Sequence, residues 1–111
     1  MERRVFERIP VNLYVIFYHS RQSYTGIVSN LSKNGICIET RKYFPLKSKL
    51  EILVLARGES LKIPVTVTAS RELENGHKFY GLGTELIEEP PNYKKVVDIF
   101  AHNNLLHSII N

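Results

Sequence analysis

The chain has 111 residues, 43% of them hydrophobic and 23% charged, the composition of one ordinary globular domain, which excludes a disordered or fibrous chain. No run approaches the roughly 20 apolar residues of a membrane helix, the lone Cys37 excludes an internal disulfide framework, and MERRVFERIP has no apolar leader core, so a cytoplasmic protein without membrane insertion is expected. The formal net charge of +4 implies a preference for anions; because Arg3, Arg4 and Arg8 all precede Pro10 while the lysines are spread, the expected anion site uses the N-terminal arm and no DNA partner is expected.

Residues 1–9 are read as a mobile arm carrying the arginines. From Val11 to Tyr18, VNLYVIFY is almost continuously β-favouring, with Val11, Leu13, Val15 and Phe17 on one face and Tyr14, Ile16 and Tyr18 on the other. This reads as a strand covered on both sides. SRQS turns the chain, and Tyr24–Ser29 with Ile36–Thr40 make a hairpin about NLSKNG, residues 30–35. Its Asn34-Gly35 pair predicts a type I′ turn with φ > 0 at both positions. After the loop KYFPLKS comes the strand LEILVLA and a turn at Arg57-Gly58-Glu59.

LKIPVTVTASREL is the clearest one-face-buried strand, with Leu61, Ile63, Val65, Val67 and Ala69 inward and Lys62, Pro64, Thr66, Thr68 and Ser70 outward. Pro64 places that stretch at an edge or a bulge. A turn at Asn75-Gly76 leads to KFYGLGTELIE, the last of six strands, and the pattern from 10 to 89 predicts a small all-β antiparallel barrel or sandwich. Residues 90–111 follow as a helix and tail. Asn92 is the expected N-cap, and Tyr93, Val96, Val97 and Phe100 form a stripe at helical spacing. Asn103-Asn104 is expected to fray or end the helix, with LLHSII beyond it as an apolar tail. Packing on the barrel is the expected use of the stripe, with weak self-association or partner docking as the other.

Catalysis has no support. His19, His77, His102 and His107 are scattered, and the five-residue step from His102 to His107 fits one helical face poorly, so no metal site is expected. Cys37 reads as a small buried side chain. There is no nucleophile elbow and no pair of carboxylates in an apolar setting. Gly81 and Gly83 lack the third glycine and following helix of a dinucleotide fingerprint, and read as places where a strand bends or another backbone comes close.

Two features are left over. RRVFER carries Arg4 and Arg8 at the spacing Arg-x-x-x-Arg, and NLSKNG carries Asn30, Ser32 and Gly35 at the spacing Asn-x-Ser-x-x-Gly. Taken singly, the first is an ordinary solvated arm and the second a turn with local side-chain bonds. Together, in that order, before and within a short β-domain, they resemble the PilZ domain family. YGLGTEL is also similar to that family's closing strand, and the resemblance covers almost the whole chain.

The resemblance implies a six-stranded antiparallel β-barrel with a C-terminal α-helix, and binding of cyclic di-GMP without catalysis or a cofactor. Carried over, Arg4 and Arg8 would grip guanine edges and phosphate, a task suited to a planar guanidinium fork. Asn30 and Ser32 would hydrogen-bond the ligand from the barrel surface, and Gly35 would permit the turn that aims them. Asn30 stands where the family more often has Asp, supplying donor and acceptor but no charge. Arg3 is a further candidate, since a basic residue there accompanies capture of a stacked ligand pair.

The signal would pass to an unidentified downstream protein through reordering of the arm. Motility, adhesion and exopolysaccharide production are the family's usual outputs. Two other readings stay open. One is a PilZ-fold adaptor that contacts proteins and no nucleotide. The other is a barrel binding single-stranded nucleic acid through arginines and Tyr14, Tyr18, Tyr24 and Tyr80.

Overall fold

The structure, a computed structural model, describes residues 7–56, 58–73 and 78–110, with side chains described to 55 and from 58–73 and 78–102. Arg3, Arg4, Arg57 and the Asn75-Gly76 turn lie outside the described residues.

Six strands, β1 (Ile9–His19), β2 (Gln22–Leu31), β3 (Gly35–Thr40), β4 (Lys49–Ala56), β5 (Glu59–Glu72) and β6 (Tyr80–Leu86), precede one helix, α1 (Tyr93–Ile110). All pairings are antiparallel and the sheet closes on itself in the order β1-β2-β3-β6-β5-β4. Closure leaves no continuous edge strand. Pro64 is accommodated at the end of the β5–β6 ladder, where its carbonyl accepts from Ile87 N just past Leu86, the last residue of β6, and the N–H it lacks interrupts no pair further in.

The interior is filled from every strand, by Val15 and Phe17, Val28 and Leu31, Ile36 and Ile38, Ile52 and Val54, Ile63, Val65 and Val67, and Leu82. One end is filled from a segment expected to be a plain loop. Phe44 is 2% exposed, its ring centroid 5.6 Å from that of Phe17 and 5.1 Å from that of Tyr24. Aromatic edge-to-face packing of this kind adds to area burial.

β1 is not covered on both sides, as its unbroken β-favouring run had predicted. Tyr14 is 70% and Ile16 38% exposed, because the outer wall of a barrel meets water wherever no helix crosses it. α1 covers only part of one end, through Tyr93, Val96, Val97 and the partly buried Phe100. Asn92 does stand at its start, accepting from Val96 N at 3.0 Å, but in the left-handed region with φ 76. The helix also runs on through Asn103-Asn104 to Ile110, since asparagine is a mediocre helix former and not a breaker. Among the described residues no helix is long and apolar enough to cross a membrane.

The two-residue turn joining β1 to β2 is Ser20-Arg21, with φ of 51 and 72, between the paired His19 and Gln22. This is the left-handed pair of a type I′ hairpin, formed without the Asn-Gly usually found there. Two L-residues in that region carry strain that glycine relieves. Arg21→Gly is expected to raise stability by about 0.5–1 kcal/mol, read as a small upward shift in thermal midpoint.

Candidate functional site

Strand parity decides which side chains reach the barrel's outer face, and two irregularities reset it. Tyr24, Gly26 and Val28 of β2 face inward, so strict alternation would put Asn30 inside as well. Instead the β2–β3 register shifts between Val28, opposite Ile38, and Asn30, opposite Cys37. The extra residue turns Asn30 outward beside Cys37 and returns Leu31 to the core at 1% exposure.

β5 does the same between Val67, opposite Thr84, and Ala69, opposite Gly83. Ala69 is therefore exposed and Ser70 turns toward Leu82, the reverse of the faces their alternation had predicted. Arg71 comes out opposite Gly81. The Ser70 hydroxyl oxygen is buried with no hydrogen-bond partner among the described residues.

The two bulges thus build one open groove of about 340 Å³ across β2, β3, β6 and β5, lined by Arg8, Asn30, Cys37, Arg71, Gly81 and Gly83 among others. Two arginines against one acid, Glu39, make its walls net positive. The glycines act here by leaving the floor bare. A Cβ on Gly81 would meet only the Leu73 side chain, nearest at 3.4 Å, while one on Gly83 would meet Ala69 Cβ at 3.3 Å and, at 4.0 Å, Ala69 N and Thr68 Oγ1. Of the bend or close backbone expected from sequence, neither glycine has a foreign backbone in tight contact, while Gly83 does lie opposite Ala69, where the β5–β6 register shifts.

Arg8, directly before β1, is placed at the rim. Its Nη1 donates to Asn30 Oδ1 at 2.7 Å and lies 2.9 Å from Cys37 Sγ. One residue from each of the two sequence motifs is therefore in contact, although 22 positions separate them. Cys37 is half-buried on the outer face and is not a core side chain.

Ser32 and Gly35 are placed differently from Asn30. Ser32 is 3% exposed, its hydroxyl donating to Asn34 Oδ1 at 2.9 Å while its amide donates to Gly35 O at 2.9 Å. In this structure the serine shapes the turn instead of facing the groove. Asn34 and Gly35 are absent from the positive-φ residues, so the expected type I′ geometry is not formed. Gly35 is required for another reason. A Cβ there would be driven into the Thr84 carbonyl oxygen of the adjoining β6. Nothing at a glycine-for-φ level explains the position; the approach of β6 does.

The turn has one further support that the sequence did not single out. Tyr93, at the start of α1, is 1% exposed and donates its hydroxyl to Ser32 O at 2.6 Å, with Gly35 O at 3.4 Å. Burial, and next the nearby Glu89 carboxylate, push the phenol well above its ordinary pKa, so it stays a neutral donor. Its helical stripe marked it as core, which it is; its hydrogen bond was invisible because the acceptor lies 61 positions away. Arg71 likewise gave no signal, being one arginine at the end of an alternating strand.

Of the four aromatics offered as a stacking platform, Tyr24 is excluded. It packs inward against Phe17 with centroids 5.6 Å apart. Tyr80 packs edge-on against Tyr43, and only Tyr14 projects freely. Among the described residues no group of three His, Cys, Asp or Glu side chains is placed to hold a metal ion.

The fold is similar to several solved structures. The Bacillus subtilis inhibitor of motility MotI/DgrA aligns with a TM-score of 0.76 and 14% identity over 95% of this chain and 53% of that one. The PilZ domain of YcgR from Escherichia coli, solved with c-di-GMP, aligns with a TM-score of 0.73 and 11% identity over 96% and 95%. MrkH of K. pneumonia, solved as a c-di-GMP complex, aligns with a TM-score of 0.72 and 11% identity over 97% and 55%. The chain thus spans about half the length of MotI/DgrA and MrkH and nearly all of the YcgR domain, and at these identities the likeness is one of fold. No functionally curated protein matches it. The family model for the PilZ domain matches residues 2–100, and with a closed six-stranded barrel and one C-terminal helix beneath that match, the chain belongs to the PilZ domain family.

Proposed function

We propose that this chain is a receptor for cyclic di-GMP that binds its ligand in the outer groove, catalyses nothing, and hands the signal to a downstream protein. The observation that carries this reading is the Arg8–Asn30 contact of 2.7 Å at the groove rim, which joins one residue of the arm motif to one of the hairpin motif.

Arg4 and Arg8 supply guanidinium forks for guanine edges and phosphate, with Arg3 beside them for a second stacked ligand. Asn30 offers a donor and an acceptor on the barrel side. Ser32 serves the site by holding the turn, and reaches ligand only by exchanging its Asn34 partner. Gly35 lets β6 approach behind that turn. The bare strip over Gly81 and Gly83 gives a flat base room to lie against the wall, and Arg71 stands on its far side.

Ordering the arm over the ligand costs about 1–2 kcal/mol per residue of backbone, offset by charge-assisted bonds from the arginines. The closed arm changes the surface presented to a partner. Isothermal titration at moderate salt, with GTP and cyclic GMP as controls, tests the reading. Selective binding at micromolar or lower concentration supports it, and no heat with unchanged amide shifts returns the chain to a protein-contact adaptor. Arg71→Ala is expected to weaken binding about tenfold through loss of one charged contact while leaving the thermal midpoint in place, because the side chain is exposed.

A further inference from the structure

Beyond the groove, the structure ties the β2–β3 turn to the C-terminal helix through the hydroxyl of Tyr93. The β2–β3 turn has its own bonds, Ser32 N to Gly35 O and Leu86 N to Asn34 O, both 2.9 Å. The Ser32 hydroxyl adds a bond to Asn34 Oδ1 at 2.9 Å, and the support that comes from outside the sheet is Tyr93. The ring of Tyr93 is packed in the core with Val96 and Val97, and its hydroxyl reaches Ser32 O at 2.6 Å. The ring is thus fixed by α1 and the oxygen by the turn, so neither moves without disturbing the other. A groove of about 570 Å³ runs from Lys33 and Asn34 to Tyr93 and Lys94 alongside this contact, leaving the exposed side of α1's first turn open.

We infer that Tyr93 is a positioning residue for the Asn30–Gly35 turn, and that it links ligand occupancy of the turn to docking of α1. Ligand bound at Asn30 tightens α1, and loosening of α1 weakens the ligand. Linkage makes the two effects equal in size. This rests on the cyclic di-GMP reading for its ligand, but not for the contact itself. It makes α1, and not only the arm, a surface whose stability reports the bound state.

The test uses the full chain with cyclic di-GMP as the probe, comparing the parent with Tyr93→Phe and Val97→Ala. Phenylalanine keeps the ring in the core and removes only the donor, while Val97→Ala loosens α1 packing and keeps the donor. In the parent, saturating ligand is expected to slow amide exchange at Val96–Phe100 severalfold. Tyr93→Phe is expected to bind about three- to tenfold more weakly, the range one hydrogen bond supplies, and to lose most of that ligand-induced protection. Val97→Ala keeps the protection despite lower stability, which a merely structural role for Tyr93 would not predict.

Equal affinity and equal protection in Tyr93→Phe and the parent overturn the linkage. If the parent binds no cyclic di-GMP, the functional reading fails separately, and the contact is then judged without ligand. Tyr93→Phe must speed exchange of the Ser32 and Leu86 amides relative to those of β4, and unchanged rates there overturn the positioning role.

Discussion

Arg8→Ala is expected to weaken cyclic di-GMP binding by about two orders of magnitude, equivalent to about 2.7 kcal/mol, with the thermal midpoint unchanged. The two halves of that expectation have different sources. Arg8 is exposed, and its bonds to Asn30 and Cys37 are themselves exposed, so in the free protein they contribute little. Covered by a ligand, the same guanidinium becomes a desolvated, charge-assisted contact, and truncating such a group costs 2–5 kcal/mol or more in the general run of interfaces. Arg8→Lys separates charge from geometry. A lysine restores the charge but not the planar fork, so it is expected to recover only a minor part of the lost affinity. Titration calorimetry of the three proteins at one salt concentration reads both comparisons, and parent-like binding by Arg8→Ala would sink the proposed site.

Gly35→Ala is expected to be the most damaging alanine substitution among the described glycines, lowering stability by about 2–4 kcal/mol, within the large-effect tail of point mutants. The new Cβ meets the Thr84 carbonyl, which is backbone and cannot rotate away. Thr84 is itself held, its Oγ1 donating to Ile36 O at 2.7 Å. Relief therefore requires β3 to separate from β6 near the Gly35–Glu85 pair, which disturbs Ile36 in the core and the Tyr93 contact together. Gly81→Ala provides the contrast, since its Cβ meets only the flexible end of Leu73, and a change within about 0.5 kcal/mol is expected. Urea unfolding at equal m-values measures both. If Gly35→Ala unfolds at the parent midpoint, close approach of β6 is not what reserves the position for glycine.

Much of this was legible in one sequence. Period-2 alternation in LKIPVTVTA, short turns and an 80-residue span of β-favouring segments pointed to a small antiparallel all-β domain, and the family resemblance of RRVFER and NLSKNG pointed to a barrel with a C-terminal helix. Fold and family agree with both. Within the site, the two motifs named Arg8 and Asn30, which the structure places in contact. Arg71, Tyr93 and the inward turn of Ser32 were not legible, nor was the real reason for Gly35. Three of them depend on a partner in another element, Gly81 for Arg71, Ser32 for Tyr93 and Thr84 for Gly35, and Ser32 depends on the folded shape of its own turn.

What the sequence determined by itself is the set of strands, because side-chain alternation and turn chemistry are local and survive whatever the strands later pair with. What the tertiary structure decided is which residues face the groove. A facing pattern with a period of two holds only until a strand gains one unpaired residue, and that gain is set by the neighbouring strand's register, not by the strand's own composition. One such residue in β2 turns Asn30 out, and one in β5 turns Arg71 out and Ser70 in. The groove wall of this barrel is therefore made by two shifts in pairing that only the closed sheet can impose.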